Sequence, residues 1–247
     1  MSELRRSRYR VRYAADATDI AAAQALRYAA FRGEGDAAGR DSDAFDARAL
    51  HLLIEERRGG RLVCCCRLLP LKDGAEIAGS YSAQFYDLSG LAAFPGPMLE
   101  LGRFCIAADA RDPDILRLAW GALNAYVERH GIALIFGCSS FEGTEAERYA
   151  AAFALLSERH LAPRRWRPKI KAPAVVRFAR AVRALRPDPL AALRVMPPLL
   201  RSYLAMGGWV SDHAVVDRDL GTLHVFTGLE VGAVPAARAR RLRALAG

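Results

Sequence analysis

The chain has 247 residues, 52% of them hydrophobic, which is enough to bury a large core in one domain. Its formal net charge of +9 is carried almost entirely by arginine. This balance favours an acidic partner (nucleic acid, anionic lipid or an acidic carrier protein), although genomic bias also enriches arginine. No apolar run approaches the roughly 18 residues of a membrane span, and no apolar signal core follows the basic N-terminus. We therefore expect a cytoplasmic protein, with room for peripheral contact at the inner membrane face.

The five cysteines indicate a reducing compartment and no metal site. Cys64, Cys65 and Cys66 are adjacent, and Cys105 and Cys138 lie in other apolar, strand-like runs. There is no CxxC pair and no cysteine–histidine spacing suited to zinc. We expect reduced, buried thiols that pack as small hydrophobic residues, and no bound metal.

The first third of the chain is patterned as a strand, a helix and a β-hairpin. Tyr9, Val11 and Tyr13 alternate as in a strand, and a polar, glycine-rich loop from Gly33 to Arg40 follows the helix. The predicted elements are a helix at Ile20–Phe31, a strand at His51–Ile54, a turn at Arg58–Arg61 and a returning strand at Leu62–Leu69.

The next predicted strand, Met98 to Ala107, contains two opposite charges, Glu100 and Arg103. Alternation along a strand places Glu100 and Gly102 on one face and Leu101 and Arg103 on the other. A buried charge is costly unless it is paired or used in chemistry. Two interpretations are open at this point: a functional site, or a structural ion pair that braces the sheet.

The remaining pattern alternates strands with helices, which favours an α/β or α+β sheet with helices packed on it. We predict a helix from Pro113 to Gly131, a strand at Ile132–Cys138, and a helix from the capping box Thr144-x-x-Glu147 to His160. Beyond these we predict a basic helix at Ala174–Arg186, a helix from Pro197 to Gly207, a hairpin of Trp209–Val216 and Thr222–Leu229, and a basic end at Arg238–Arg243. No domain boundary is evident.

Several enzyme classes are excluded by missing motifs. The chain has no GxGxxG, no GxxxxGK[ST], no GxSxG and no HExxH. The loop from Ala108 to Pro113 lies between a predicted strand and a predicted helix, where acetyltransferases place a glycine-rich pyrophosphate loop, but it has no glycine. The position suits a thioester donor, and the composition argues against plain CoA. An acyl chain on the phosphopantetheine of an acidic acyl carrier protein would need less pyrophosphate binding and would suit the basic surface.

Five segments together are typical of one enzyme family: Glu100–Ile106, Leu118–Gly121, Gly137–Thr144, Leu161–Pro163 and Pro197–Leu204. In these segments the chain resembles the ornithine N-alpha-acyltransferases that make lyso-ornithine lipid, a branch of the GNAT-like acyltransferases. The resemblance covers about Arg27 to Val231. It implies an α+β fold with a mixed, mostly antiparallel sheet flanked by helices. We expect one domain over residues 1–247, with a basic helical insertion at about 164–206 and a C-terminal hairpin at about 207–231.

The N-terminal half is also similar to the acyl-homoserine-lactone synthases, which share the fold and the carrier-bound donor and differ in the amine acceptor. The matching residues are Arg27, Phe31, Asp43, Asp46, Arg67, Phe85, Glu100 and Arg103. The tryptophan expected after Phe31 is absent.

The resemblance implies that an amine attacks an acyl thioester and that a base removes its proton. Glu100 is the predicted base and can attract the ammonium group. Asp43 and Asp46 add negative charge for a cationic acceptor. Arg103, Arg67 and Arg27 are predicted to hold the acceptor carboxylate or to keep the acids ionised. The other predicted substrate-binding residues, each with a packing or loop role as its alternative, are Phe85, Phe104 and Ser139.

Three functions compete. The first is N-acylation of the α-amine of L-ornithine by a (3-hydroxy)acyl carrier protein, which gives lyso-ornithine lipid with no bound cofactor. The second is a signal synthase that acylates S-adenosylmethionine. The third is a non-enzymatic basic protein that binds nucleic acid or a membrane. Because the arginines are dispersed without stacking aromatic motifs, we expect no nucleic-acid partner.

Overall fold

The computed structural model describes residues 8–33 and 39–246 of the chain. The described residues form two compact units. The first comprises those of Met1–Pro70, Leu99–Ile132 and Ala236–Gly247, and the second those of Leu71–Met98 and Ala133–Pro235. Part of the predicted loop Gly33–Arg40, residues 34–38, lies outside the described residues, as does residue 247.

The first unit is a set of strands with helices on both faces. The strands are ordered β1-β2-β3-β5, and β1–β2 and β2–β3 pair antiparallel. Leu53 and Cys65 pack with Ala23 of the first helix, while the alternate residues Ile54 and Cys64 pack with the second helix. The elements are β1 (Tyr9–Tyr13), α1 (Ala17–Arg32), β2 (Leu50–Glu56), β3 (Leu62–Leu71), β5 (Met98–Ile106), α2 (Pro113–His130) and the C-terminal α7 (Ala236–Ala246).

The second unit has strands ordered β6-β10-β9-β8, all paired antiparallel, and a separate antiparallel pair, β4–β7. Its core joins Phe141, Phe153 and Phe178 to Val210 and Leu223. The strands are β4 (Tyr86–Asp87), β6 (Leu134–Glu142), β7 (Lys169–Ile170), β8 (Val175–Val176), β9 (Trp209–Asp217) and β10 (Thr222–Glu230). The helices are α3 (Ala150–Arg159), α4 (Phe178–Ala181), α5 (Pro189–Val195) and α6 (Pro198–Ala205).

Several local predictions are confirmed by the backbone. The Asp112 carboxylate accepts the N–H of Asp114, and Pro113 begins α2. Gly131 ends that helix with a φ of 59°, in the left-handed region where glycine carries no Cβ penalty. The hairpin turn between β2 and β3 and the hairpin of β9 and β10 are also confirmed.

The prediction of one basic helix from Ala174 to Arg186 is wrong. Val175 and Val176 form β8 instead, because these β-branched residues pair with β9. Only a short helix, α4, follows, held by the buried side chains of Phe178 and Val182.

Two boundaries around β6 also differ from the prediction. The strand extends to Glu142, because Ser139 and Ser140 pair with β10 and are not loop residues. The Thr144-x-x-Glu147 capping box does not open the next helix. A 3-10 turn at Ala146–Tyr149 intervenes, and α3 begins at Ala150 with no side-chain cap.

Candidate active site

The first unit contains a cluster of six charged side chains that are buried or nearly so. We call it the arginine–aspartate cluster. Arg27 comes from α1, Arg67 from β3 and Arg103 from β5, and the three acids come from the segment between α1 and β2. Its members are Arg27, Arg67, Arg103, Asp41, Asp43 and Asp46.

Arg27 anchors the cluster and is fully buried. Its two terminal nitrogens lie 2.8 Å from the two carboxylate oxygens of Asp46, a bidentate pair. Its Nε lies 3.2 Å from the Asp41 carboxylate, and its Nη2 donates to the Asp41 carbonyl. Gln24, one turn earlier on α1, donates to Asp46 at 2.9 Å.

The three aspartates are positioned by a tight turn. The Asp43 carboxylate accepts the N–H of Phe45 at 2.9 Å, the hydrogen bond of an Asx-turn. The N–H of Asp46 bonds to the carbonyl of Asp43 at 3.1 Å, which brings the two side chains together. The N–H of Asp41 bonds to the Gln24 carbonyl at 3.1 Å and ties the start of the segment to α1.

Arg67 reaches the turn from β3. One of its terminal nitrogens contacts the Asp43 carboxylate and lies 3.1 Å from Asp46. Its neighbour across the strands is His51, which is buried, with its Nε2 3.0 Å from the Asp46 carbonyl. His51 therefore packs within the protein.

Arg103 has an unusual backbone. Its φ is 50°, and among the described residues it is the non-glycine position with positive φ. Such a conformation costs on the order of 1 to 3 kcal/mol and persists where surrounding contacts fix it. Here its Nε donates to Asp41 at 2.9 Å, while its Nη2 is 3.6 Å from Asp43.

The arginines keep the acids charged. Burial raises the pKa of Asp46, but hydrogen bonds from Arg27 and Gln24 outweigh burial and leave the pKa well below its ordinary value. For Asp43, burial is the largest single influence and raises the pKa, but the hydrogen bond and charge of Arg67, the Phe45 N–H and the charge of Arg103 together lower it. In turn, hydrogen bonds and charge from Asp46 raise the pKa of Arg27 against the effect of burial. The cluster thus pairs three arginines with three aspartates, and its formal charges balance.

Glu100 lies on β5, three residues before Arg103, and is 3% exposed. Strand alternation places it on the same face as Gly102. A Cβ built on Gly102 would meet no atom within 4 Å, so there is open space beside this glycine. A buried carboxyl next to open space is an arrangement suited to proton transfer.

The structure gives the other predicted substrate residues different surroundings. Phe104 packs in the core around α2, in the same hydrophobic cluster as Ile115. Phe85 belongs to the second unit, where its ring lies 5.0 Å from that of His224. Ser139, also in the second unit, is buried on β6 and accepts a hydrogen bond from Thr227 at 2.9 Å.

Sequence reasoning missed two kinds of residue. Asp41 and Gln24 bind within the cluster, and only the spacing of three acids in six residues hinted at Asp41. In the second unit, the buried ring of His213 has its Nδ1 2.8 Å from the Asp212 carboxylate. The Tyr86 hydroxyl donates to the His224 carbonyl at 2.8 Å. Neither pair follows a recognisable motif.

In the described part of the chain, no group of three or more His, Cys, Asp or Glu side chains is arranged to hold a metal ion. No helix there is both long and apolar enough to cross a bilayer.

Comparison with known proteins identifies the family. A model described as an acetyltransferase (GNAT) domain matches residues 26–121. An L-ornithine N(alpha)-acyltransferase of Rhodobacter capsulatus is 37% identical over 243 residues, which cover 92% of this chain and 91% of the relative. The chain belongs to the L-ornithine N(alpha)-acyltransferase family. An enzyme of the same name from Rhizobium meliloti is 34% identical over 90% of this chain and 80% of its own length.

Family membership makes the chain an acyltransferase and confirms the resemblance noted in the sequence. A solved structure supports the α+β fold. FeeM, an N-acyl amino acid synthase from uncultured soil microbes, matches 91% of this chain and 93% of its own with a TM-score of 0.53 and 11% identity. The predicted GNAT-like fold, with mostly antiparallel strands flanked by helices, is thus confirmed.

Proposed function

We propose that this enzyme transfers a (3-hydroxy)acyl chain from acyl carrier protein to the α-amine of L-ornithine and releases lyso-ornithine lipid. The assignment of ornithine as the acceptor is supported by the name shared by relatives that match nine-tenths of the chain. Ornithine has one carboxylate and two amines, and a site with a carboxylate base and ordered arginines suits both kinds of group.

The donor assignment is supported by the N-terminus of α2. A helix N-terminus attracts phosphate through its exposed N–H groups and its dipole. Here the Asp112 carboxylate already occupies the N–H of Asp114, and Asp109 in the same loop pairs with Arg61. Three carboxylates, those of Asp109, Asp112 and Asp114, therefore lie in the loop and first turn of the helix at which a CoA pyrophosphate would have to bind. An acyl chain on a carrier's phosphopantetheine arm does not need that contact.

In the proposed reaction, the neutral amine attacks the thioester carbonyl and forms the C–N bond. Glu100 receives the amine proton, directly or through water, and the C–S bond then breaks to release the carrier thiol, which takes up a proton. The amide forms without a metal and without a covalent enzyme intermediate. The open space beside Gly102 is the proposed approach of the acyl group to Glu100.

Within the cluster, we assign some residues to contact with the substrate and others to positioning those residues. Arg103 is the proposed contact for the acceptor carboxylate, because its 3.6 Å contact with Asp43 is long and a substrate oxygen would come closer. Asp43, with 26% of its side chain exposed, is the proposed contact for a cationic amine. Arg27 and Asp46 are buried against each other, so we assign them to positioning rather than to substrate contact.

The experiment is a product screen by mass spectrometry. Purified enzyme receives 3-hydroxyacyl carrier protein or the matching acyl-CoA, each with ornithine, lysine, glycine, glutamine or S-adenosylmethionine. We expect N-acylornithine, formed at least tenfold faster from the carrier than from CoA. A tenfold ratio corresponds to about 1.4 kcal/mol. A lactone from S-adenosylmethionine would favour the signal-synthase alternative. Equal rates with CoA would overturn the donor assignment, and no product with any pair would overturn the proposed function.

A further inference from the structure

A segment of the second unit, residues 177–201, exposes apolar side chains to an unusual degree. Leu185 is 51% exposed, Leu190 71% and Leu193 42%. Single exposed leucines are common in soluble proteins, but here three of them fall within nine residues of one short stretch. We call this stretch the leucine–arginine segment.

The leucines of α5 point away from the core of the second unit. Ala192 of this helix and Met196, which follows it, are buried in that core. Leu190 and Leu193 are three residues apart and therefore share another face, which is exposed. The helix is thus anchored on its inner face and presents leucine on its outer face.

The same segment has a high positive charge. It contains six exposed arginines and one acid, Asp188, for a formal charge of 6 − 1 = +5. The Asp188 carboxylate is used as the cap of α5, accepting the N–H groups of Leu190 and Ala191. The exposed arginines are Arg177, Arg180, Arg183, Arg186, Arg194 and Arg201. In the described residues, none of them lies within salt-bridge distance of a carboxylate.

We propose that the leucine–arginine segment binds the surface of an anionic membrane. The three leucines enter the boundary between headgroups and acyl chains, and the arginines contact lipid phosphates. Leucine beside clustered arginine is the composition of segments that lie in a membrane interface. The arginine stems also cover apolar surface while their charged ends stay in the headgroup layer.

An acidic protein partner fits these observations less well. Charge alone would satisfy the arginines, but it would not explain why Leu190 is, among the large hydrophobic residues whose exposure the structure describes, the most exposed. This inference rests on the proposed function in one respect, since an enzyme that makes an amphiphilic product gains from contact with the bilayer that receives it. Its test does not require acyl transfer, so the two proposals can fail separately.

The test is co-sedimentation of the full chain with vesicles of phosphatidylcholine, with and without phosphatidylglycerol. Wild type is expected to bind the anionic vesicles and to dissociate as salt rises. The variant Leu190→Ser/Leu193→Ser should lose affinity by about tenfold or more, because it removes apolar burial. The variant Arg183→Gln/Arg186→Gln/Arg194→Gln should lose on the order of 100-fold, at about fivefold per arginine.

Two control variants remove the same kinds of side chain from outside the leucine–arginine segment. Ile170→Ser removes another exposed apolar residue, and Arg238→Gln/Arg240→Gln/Arg241→Gln removes three exposed arginines from α7. Both should bind vesicles as wild type does. Soluble acyl transfer without vesicles should be unchanged in the segment variants.

Three results would overturn the proposal. The first is no binding of wild type to anionic vesicles, and the second is an equal loss in the α7 control. The third is a loss of acyl transfer from the carrier, without vesicles, in the arginine variant alone, which would assign the segment to docking the carrier.

Discussion

The arginines of the arginine–aspartate cluster and those of the leucine–arginine segment are the same residue in opposite surroundings. Arg27 and Arg67 are buried, and each contacts aspartates of one short turn. Arg183 and Arg186 are exposed beside leucines. A buried arginine must be paired, so it specifies geometry, whereas an exposed one is free to meet an external partner. The net charge of +9 therefore combines arginines that fix the internal structure with arginines that are exposed for binding.

The largest effect should come from breaking the cluster. Arg27→Met leaves the buried Asp46 without its bidentate partner and removes one of the two arginines beside Asp41, and removal of one partner of a buried pair costs about 3 to 5 kcal/mol. The free energy of unfolding in urea measures this loss. A decrease of less than about 1 kcal/mol would show that the cluster is not the framework of the first unit.

A smaller effect is expected on the KM for the acceptor, ornithine. Arg103→Lys keeps the charge but loses the planar fork, so the KM for ornithine should rise about tenfold while kcat changes less. Steady-state kinetics with varied ornithine measure both constants. If the KM for ornithine is unchanged and only that for the acyl carrier rises, Arg103 acts on the donor instead.

The pH dependence of stability tests the ion pairs of the arginine–aspartate cluster. Asp43 and Asp46 have lowered pKa values in the folded chain, so their contribution is fully present above the unfolded carboxylate pKa of about 3.9. It is lost as the pH falls through the folded values. Urea unfolding between neutral pH and pH about 3 should therefore show a shallower acid slope in Asp46→Asn than in wild type. An identical slope in the two proteins would mean that Asp46 is not paired as described.

The smallest effect should come from the exposed segment. Arg186→Gln removes no buried partner, so the free energy of unfolding should change by less than about 0.5 kcal/mol. A loss of about 2 kcal/mol or more would contradict the contrast between the two regions.

The sequence predicted the elements where local signals are strong. Asp112, Pro113 and Gly131 bound α2 because caps and proline act through the adjacent backbone. At Ala174–Arg186, pairing of Val175 and Val176 with β9 outweighed local helix propensity. After Thr144-x-x-Glu147, a 3-10 turn at Ala146–Tyr149 takes the place of the predicted helix start.

For the candidate site, the sequence indicated which residues carry charge but not how they pair. Asp43, Asp46, Arg67 and Arg27 come together in the structure, while their roles toward a substrate stay predictions. The roles of Asp41 and of the positive φ at Arg103 depend on contacts across more than sixty positions, which no local pattern reports.

The most direct test of the account is the rate of N-acylornithine formation by Glu100→Gln beside the matched control Glu158→Gln, an exposed acid. If Glu100 is the base, kcat should fall by about 100-fold or more in the first variant and stay at the wild-type value in the second. The thermal midpoint of unfolding of each variant should confirm a folded protein. A folded Glu100→Gln enzyme that retains most of the wild-type kcat would contradict the assignment of Glu100 and the mechanism built on it.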